Sequence, residues 1–327
     1  MKLIDLKPGD SFTGYYLMRN IIPKRTKTNK PYLSMALTDV SASVESMVWD
    51  YGGPIGPADE GKVAWVQGVM KEYRGTLQIT VEVLRPAEQQ EYFPIIDTLV
   101  PTAPLDRSAA YARVKALVAT LEDDDFRRVA EKFLQRHGAE FCRYPAAKTV
   151  HHGFVGGLLM HTADMLELAD FLAGKYRTVI HRDLLLTGTL LHDIAKLREF
   201  VLSDLGVVME YSTAGQLLGH LVMGAQEAAE VCKELGVPEE KSMLLQHLLL
   251  SHHGQPEFGA AVVPQCAEAE LLASIDHIDS RMEIYRETLE KLQPGQFSQR
   301  VFALDRRIYR PNLGAAEDLI LKSNKTI

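Results

Sequence analysis

The chain has 327 residues, of which 46% are hydrophobic and 24% are charged, a composition that excludes disorder and supplies apolar side chains for two domains. A formal net charge of −7 excludes a basic surface over the whole protein, so any contact with a polyanion has to be local. Three widely spaced cysteines exclude a disulfide framework or zinc ribbon, and no apolar stretch suits a signal core or a membrane span. We expect a cytoplasmic protein.

The first predicted elements are β-strands within residues 1–86. Five short segments are rich in β-branched and aromatic residues and are separated by turn sequences: SFTGYYLMRNI, YLSMALTDV, ASVESMVWD, KVAWVQGVM and TLQITVEVL. Five strands in a stretch of this length predict a small closed barrel, for which an OB-fold is the natural candidate. An SH3-like barrel is compatible with the same number of strands.

A basic loop follows the first predicted strand. Lys24, Arg25, Lys27 and Lys30 occur there with no acidic residue among them. OB-folds commonly hold single-stranded nucleic acid at this loop, and aromatic residues of the strands can stack on bases. The alternative is a hairpin tip whose charges are simply solvated. We take the four residues as candidate substrate contacts.

The chain changes character after the barrel. Residues 87–107 contain three prolines and no regular period, which predicts a linker. From residue 108 onward, apolar residues recur at intervals of three and four, which predicts an all-α domain over residues 108–311. A polar tail at residues 312–327 completes the predicted organisation.

The helical half carries a series of histidines and aspartates in its apolar segments. Neighbouring members are separated by about one helix and its connection, so they come from successive helices and can converge in the centre of a bundle. Burying so many unpaired polar groups would cost about 1–3 kcal/mol each, which a shared metal ion avoids. The series comprises His161, His192, Asp193, His220, His252, His253 and Asp276.

The stretch TLLHDIAKLREF combines groups suited to phosphoryl chemistry. Imidazole and carboxylate ligands together suit Mn, Fe, Co, Ni or Zn, whereas Ca and Mg sites are usually all oxygen. Asp193 adjoins His192, and a carboxylate in that position can bridge two metal ions whose hydroxide attacks phosphorus. Lys196 lies on nearly the same face of the predicted helix, where it can neutralise a phosphoryl oxygen or protonate a leaving group. Asp193 and Lys196 are therefore the catalytic candidates.

An ordered set of motifs carries a resemblance to known families. HHGFVGGLLMHT, LLHDIAK, GQLLGH, LLLSHHG and IDHIDS resemble the motifs of the HD superfamily of metal-dependent phosphohydrolases. With FSQRVFALDRRIYRP near the C-terminus and the barrel in front, the chain resembles the YhaM-type 3′→5′ exoribonucleases from about residue 9 to residue 311. The resemblance implies a multi-domain fold, in which a small all-β OB-fold barrel precedes an all-α HD-type helical domain.

The resemblance also implies metal ligands. His161 matches the first metal histidine, His192 and Asp193 match the HD pair, and Asp276 matches the closing aspartate. A two-metal HD site has additional histidines, which are matched by His220 and by either of His252 and His253.

Two further motifs bear on the substrate. Lys196 matches the lysine of the familiar HDIGK sequence, in which Ala195 here replaces the glycine. His151 and His152 precede the glycine-rich sequence GFVGG, where a phosphate can approach a helix N-terminus. Substrate contact and turn capping both account for this histidine pair.

The resemblance predicts a metal-dependent 3′→5′ exoribonuclease that hydrolyses single-stranded RNA, with single-stranded DNA as a further substrate, to nucleoside 5′-monophosphates. Mn²⁺ is the first choice of cofactor, with Co²⁺, Fe²⁺, Ni²⁺ or Zn²⁺ as alternatives and one or two ions bound. Two other functions stay open: hydrolysis of a nucleotide or cyclic dinucleotide by the same site, and RNA binding without catalysis. We also expect self-association and no membrane partner.

Overall fold

A computed structural model describes residues 2–73, 75–147, 153–203 and 205–313. The N-terminal domain is a barrel of five strands, closed in the order β1-β2-β3-β5-β4, with a parallel contact between β3 and β5. This strand order is that of an OB-fold, so the predicted barrel is confirmed. The strands are β1 (Ser11–Arg25), β2 (Pro31–Thr38), β3 (Ser43–Trp49), β4 (Val63–Tyr73) and β5 (Thr76–Pro86).

Alternating burial explains why the barrel forms. Along β2, Leu33, Met35 and Leu37 are buried while the residues between them are partly exposed, because successive side chains point to opposite faces of a strand. The same apolar interior includes Met70 of β4 and Ile79 of β5, which are fully buried.

The segment that follows the barrel contains two short helices, α1 (Gln89–Tyr92) and α2 (Ile96–Leu99). Four of its side chains are buried in a small apolar cluster with side chains of the barrel and of the helical half, so the segment packs against both. The cluster comprises Leu17 and Val63 of the barrel, Tyr92, Ile96, Leu99 and Val100 of the segment, and Val155 and Leu205.

The C-terminal half is a helical bundle. No helix in the part of the chain that the structure describes is long and apolar enough to cross a membrane. The helices are α3 (Arg107–Val118), α4 (Asp124–Phe141), α5 (Gly157–Lys175), α6 (Arg182–Leu191), α7 (Lys196–Glu199), α8 (Thr213–Leu235), α9 (Glu239–Ser251) and α10 (Ala267–Glu290).

Two hairpins add to the predicted all-α pattern. One lies between α7 and α8 and consists of β6 (Phe200–Leu202) and β7 (Val208–Tyr211). The other follows α10 and consists of β8 (Phe297–Val301) and β9 (Arg306–Tyr309).

Helix α6 positions the site. Every residue from Asp183 to Leu191 is buried, and α6 packs against α4, α5, α9 and α10. A helix that is enclosed on all sides lies in the core of its domain. The HD sequence, which follows directly after α6, is therefore placed in the middle of the bundle.

Candidate metal centre

His192 and Asp193 lie in a turn between α6 and α7, whereas the sequence predicted one continuous helix. Nδ1 of His192 donates a hydrogen bond to the carbonyl oxygen of Thr189 at 2.7 Å. A continuing helix would offer that carbonyl to the backbone N–H of Asp193. The imidazole thus ends the helix and keeps Nε2 of His192 as an acceptor that faces the bundle centre.

His252 repeats this arrangement at the end of α9. Its Nδ1 donates to the carbonyl oxygen of Leu249 at 2.8 Å, the carbonyl that a continuing helix would offer to the backbone N–H of His253. The two histidines therefore lie side by side just beyond the helix, with ring centroids 4.4 Å apart.

His220 lies at a break in α8. Gly219 adopts φ 72° and ψ 161°, a backbone conformation essentially confined to glycine. Glu199 Oε1 accepts both the backbone N–H of His220, at 3.1 Å, and its Nδ1–H, at 3.0 Å. The buried Glu199 carboxylate therefore caps the second part of α8 and orients the imidazole.

The remaining members come from α5 and α10. His161 of α5 donates from Nδ1 to Oδ2 of Asp279 at 2.7 Å. Its Nε2 lies 3.4 Å from Oδ1 of Asp276 and 3.2 Å from Nε2 of His192. Asp276 and Asp279 share a face of α10 because they are three residues apart.

Asp193 lies between two groups of imidazoles. Its Oδ2 is 3.6 Å from Nε2 of His161 and 3.4 Å from Nε2 of His192. Its Oδ1 is 3.3 Å from Nε2 of His220 and 3.7 Å from Nε2 of His252. Two sets of ligand atoms each lie within 4.8 Å of one another, and these sets are His161, His192 and Asp193, and His220, His252 and His253.

Unsatisfied polar atoms test whether a metal ion fits. Seven buried side-chain nitrogen or oxygen atoms in the described part of the chain have no hydrogen-bond partner, and four of them belong to this cluster. Leaving such atoms buried is costly, and a cation that accepts their lone pairs removes the cost. The donor set therefore fits a metal ion. The four atoms are Oδ1 of Asp193, Nε2 of His220, Nε2 of His252 and Nδ1 of His253.

The electrostatics hold these side chains in the forms that bind metal. Burial favours the neutral acid, but Lys196 and the neighbouring histidines lower the pKa of Asp193 well below its usual range. Burial, together with neighbouring imidazoles, lowers the pKa of His252 and of His253. At neutral pH Asp193 is therefore ionised and these two imidazoles are neutral.

The carboxylates around His161 favour a positive charge at its ring. Burial would lower the pKa of His161, but hydrogen bonds to Asp276 and Asp279 outweigh it and raise the pKa to about 10. The same interaction lowers the pKa of Asp276 despite its burial. Carboxylates that stabilise a proton on this ring provide an equally negative environment for a metal ion.

Lys196 is the first residue of α7 and contacts the centre of the site. Its Nζ donates to Oδ2 of Asp193 at 2.6 Å, so the lysine and the aspartate adjoin each other as predicted although the helix is broken between them. Burial would lower the pKa of Lys196, but the Asp193 carboxylate raises it. The side chain is therefore a cation at neutral pH.

The predicted basic loop lies in the other half of the chain. Lys24 and Arg25 end β1, and Lys27 and Lys30 occupy the turn before β2, where all four are exposed. Lys30 forms a 3.2 Å ion pair with Asp50, an acidic neighbour that comes from beyond β3 and was not evident from the loop sequence.

An aromatic pair borders this loop. The rings of Tyr32 and Trp49 lie 4.9 Å apart, and Trp49 is 50% exposed. A cavity of about 400 Å³ adjoins Tyr32, and its lining also includes Lys24 and Arg25. The loop thus combines cations with an accessible ring. His151 and His152, the other predicted substrate contacts, lie outside the described residues.

Sequence reasoning missed Glu199. In the sequence it looks like an ordinary acidic residue at a helix end, and its contact with His220 depends on the intervening β6–β7 hairpin. One signal was available, because Gly219 directly precedes His220 inside an apolar helical segment, and a glycine there indicates a break or a close packing contact.

Comparisons with known proteins identify relatives of this chain. A family profile described as the HD domain matches residues 158–281, a range that contains all seven candidate ligands. The 3′-5′ exoribonuclease YhaM of Halalkalibacterium halodurans is 34% identical over 310 residues, which cover 93% of this chain and 94% of the relative. The proteins of the same name from Bacillus licheniformis and Bacillus subtilis are 35% and 34% identical, and each match covers 93% of this chain and 96% of the relative.

Proposed function

The chain belongs to the YhaM family of 3′-5′ exoribonucleases, and from this membership we propose that it shortens single-stranded RNA from the 3′ end by metal-dependent hydrolysis. The products are nucleoside 5′-monophosphates. The observation that carries the proposal is the position of Asp193, whose two carboxylate oxygens face two separate groups of imidazoles. A carboxylate shared in this way suits a two-metal phosphodiesterase.

We assign two divalent ions to the centre, with Mn²⁺ as the first choice and Co²⁺, Fe²⁺, Ni²⁺ or Zn²⁺ as alternatives. When bound, such ions generate a hydroxide nucleophile at neutral pH and stabilise charge on the phosphoryl oxygens. The first ion would be held by His161, His192, Asp193 and Asp276, and the second by Asp193, His220, His252 and His253.

Lys196 is assigned to the substrate phosphate. An ammonium group has three donors, and Asp193 accepts one of them. A raised pKa keeps the proton on Nζ, which favours hydrogen bonding to a phosphoryl oxygen over proton transfer to a leaving group. Lys196 would thus orient the scissile phosphate and balance its negative charge.

We assign the barrel to the part of the RNA that lies upstream of the 3′ end. Exposed cations at Lys24, Arg25, Lys27 and Lys30 suit phosphates, and the exposed Trp49 ring suits a base. We propose residues 1–86 as the RNA-holding domain, 87–107 as a connecting segment and 108–311 as the catalytic domain. Self-association and a cytoplasmic location belong to the same proposal, the latter because Cys142, Cys232 and Cys266 are free thiols.

The test is a degradation assay with competing substrates. Purified protein with Mn²⁺ is incubated with 5′-labelled single-stranded RNA or DNA, free nucleotides and cyclic dinucleotides. A ladder that shortens from the 3′ end is the expected result for RNA. Turnover of small nucleotides alone would contradict the proposal, and RNA binding without any turnover would identify a binding module.

Two variants separate chemistry from strand binding. Asp193→Ala should abolish turnover while the affinity for RNA is largely retained. Changing Lys24, Arg25, Lys27 and Lys30 to Gln should weaken RNA binding and reduce the slope of log affinity against log salt by up to about 3, since each single-strand phosphate contact contributes roughly 0.7. Unchanged affinity in the fourfold variant would remove the loop from the binding site.

A further inference from the structure

The C-terminal hairpin has a fixed position on α10. Ser298, Leu304 and Ile308 are buried, and Nη1 of Arg310 donates to the carbonyl oxygen of Leu289, near the end of α10, at 3.1 Å. The hairpin is therefore held against the helix that carries Asp276. Leu289 is 13 residues beyond Asp276, which corresponds to about 20 Å along an α-helix.

The opposite face of the hairpin presents aromatic rings to solvent. Phe297 and Tyr309 are directly opposed across the two strands, their ring centroids are 4.9 Å apart, and they are 56% and 45% exposed. The guanidinium of Arg307 lies 5.1 Å from the centroid of the Phe297 ring. Residues 307 and 309 share a face because side chains alternate along a strand.

Two arginines occupy the next position on this face. Arg300 and Arg307 are directly opposed in the strand register, and like charges in that relation destabilise a hairpin. Arg300 has an ion pair with Asp305, whereas no carboxylate of the described residues forms an ion pair with Arg307. Residues 296–310 contain four arginines and one aspartate, in a chain whose net charge is −7. An anion would relieve the repulsion.

We propose that this face binds single-stranded RNA upstream of the 3′ end that is being hydrolysed. The inference rests on the proposed function and extends it to a second binding surface, distinct from the basic loop of the barrel. Paired arginines suit the phosphates of a polyanion, and the Phe297–Tyr309 pair suits stacking on bases. A strand whose 3′ end lies at Asp276 would need several nucleotides to span the roughly 20 Å to the hairpin.

Binding titrations test the proposal in the Asp193→Ala background, in which RNA stays intact. A charge variant carries Arg300→Gln and Arg307→Gln, and an aromatic variant carries Phe297→Ala and Tyr309→Ala. Matched controls come from exposed residues at the end of α5: Lys175→Gln with Arg177→Gln, and Phe171→Ala with Tyr176→Ala. Thermal melting of each variant checks that its fold is retained.

The two hairpin variants should differ in their response to salt. For a 30-nucleotide single-stranded RNA, the charge variant should weaken binding and reduce the slope of log affinity against log salt by about 1.4, the value for two phosphate contacts. The aromatic variant should weaken binding about tenfold or more and leave that slope unchanged. Both control variants should bind like the parent.

Hydrolysis gives an independent measurement in the chain with Asp193 intact. Either hairpin variant should raise KM for the 30-nucleotide RNA and leave turnover of a trinucleotide unchanged, because the short substrate cannot reach the hairpin. Parent-like affinity in both variants would overturn the proposal, and so would a changed molecular mass by light scattering with RNA affinity retained, which would make the face a contact between copies. Failure of the parent chain to shorten any RNA would overturn the proposed function instead, and the hairpin would be judged from the titrations.

Discussion

Four histidines around Asp193 are oriented by the same kind of contact. In each group, one ring donates Nδ1–H to a backbone carbonyl, as His192 and His252 do. The other ring donates to a carboxylate, as His161 does to Asp279 and His220 does to Glu199. The contact at Nδ1 fixes the orientation of each ring, so every Nε2 faces Asp193. In His192 and His220 the contact also selects the tautomer with a free lone pair on Nε2, whereas a metal ion at His161 would replace the proton that Asp276 and Asp279 stabilise there.

Replacing each orienting carboxylate, Glu199 or Asp279, by its amide should weaken the binding of one ion and not of the other. In Glu199→Gln the amide N–H₂ competes for Nδ1 of His220 and favours the tautomer with a proton on Nε2, which removes one ligand. We expect the second ion to bind about 10–100-fold more weakly, while the first is retained. Asp279→Asn should weaken the binding of the first ion, through the tautomer of His161, while the second ion is retained. Metal titration and metal content per chain measure both.

Equal loss of both ions in one variant would contradict the assignment of Glu199 to the second ion and Asp279 to the first. If either variant released both ions to the same extent, or neither ion, then Glu199 and Asp279 would act on folding alone. Melting temperatures of the metal-free chains provide the control, because a tautomer effect changes metal affinity more than it changes the metal-free fold.

Replacement of Lys196 should affect turnover and not metal content. Lys196→Met retains length and removes the cation next to Asp193. The neighbouring imidazoles of His192 and His220 still lower the pKa of Asp193, so the carboxylate stays ionised and available to the metal. We expect turnover to fall about 10²–10³-fold, the typical loss for one donor to a developing negative charge. Single-turnover rates measured at saturating Mn²⁺, beside metal content, provide the test. Loss of metal in this variant would show that the lysine supports the ligands and not the substrate.

At the scale of elements, the apolar periods predicted the five strands and the long helices, and the histidine spacing predicted which of them meet. His161, His220 and Asp276 come from three helices, and the two histidines are buried whereas Asp276 is half-buried. The positions of the histidines in the apolar pattern therefore predicted the site, because a histidine placed among core leucines needs a polar partner.

Details that depend on hydrogen bonds of individual side chains could not be predicted. The helix was expected to continue through His192, but a side chain that takes the Thr189 carbonyl ends it, and apolar periodicity does not register such competition. The β6–β7 and β8–β9 hairpins were missed because strands of three to five residues with register shifts are too short to show alternation. Glu199 was missed together with the first of them.

The break in α8 should require glycine. Gly219→Ala meets no close atom, since the nearest to an added Cβ is 4.0 Å away, so its cost is conformational and amounts to about 1–3 kcal/mol. Relaxation toward a regular helix would withdraw His220 from Glu199, and we expect weaker binding of the second ion as well as a lower melting temperature. Gly236→Ala, at the left-handed end of α8, is the control: it should cost about 1–2 kcal/mol and leave metal binding unchanged.

At the scale of the whole molecule, the barrel and the helical bundle are joined by a packed segment. Tyr92 and Ile96 are buried between side chains of both halves, which favours a restricted path for a strand that passes from the basic loop to the metal centre. The contact proposed for the hairpin after α10 would add a third point along that path. Three separated contacts suit a long substrate better than a free nucleotide.

Removal of metal should destabilise the chain, because ions bound to the folded state stabilise it by mass action. We expect a chelator to reduce the free energy of unfolding by about 2.7 kcal/mol or more when free Mn²⁺ had exceeded the dissociation constant a hundredfold. Thermal melting with and without chelator measures the change, and Asp193→Ala should show almost none. An equal response in that variant would locate the stabilising ions elsewhere.

The ends of α6 and α9 have a consequence for assembly. At each of them, a single hydrogen bond from Nδ1 both stops the helix and chooses the nitrogen that is presented to the centre. The ring is therefore immobilised as soon as the helix has formed, and its entropy is lost during folding instead of during capture of the ion. The apo-protein should accordingly acquire its metal without rearranging His192 or His252, because both rings already have the orientation that binds the ion.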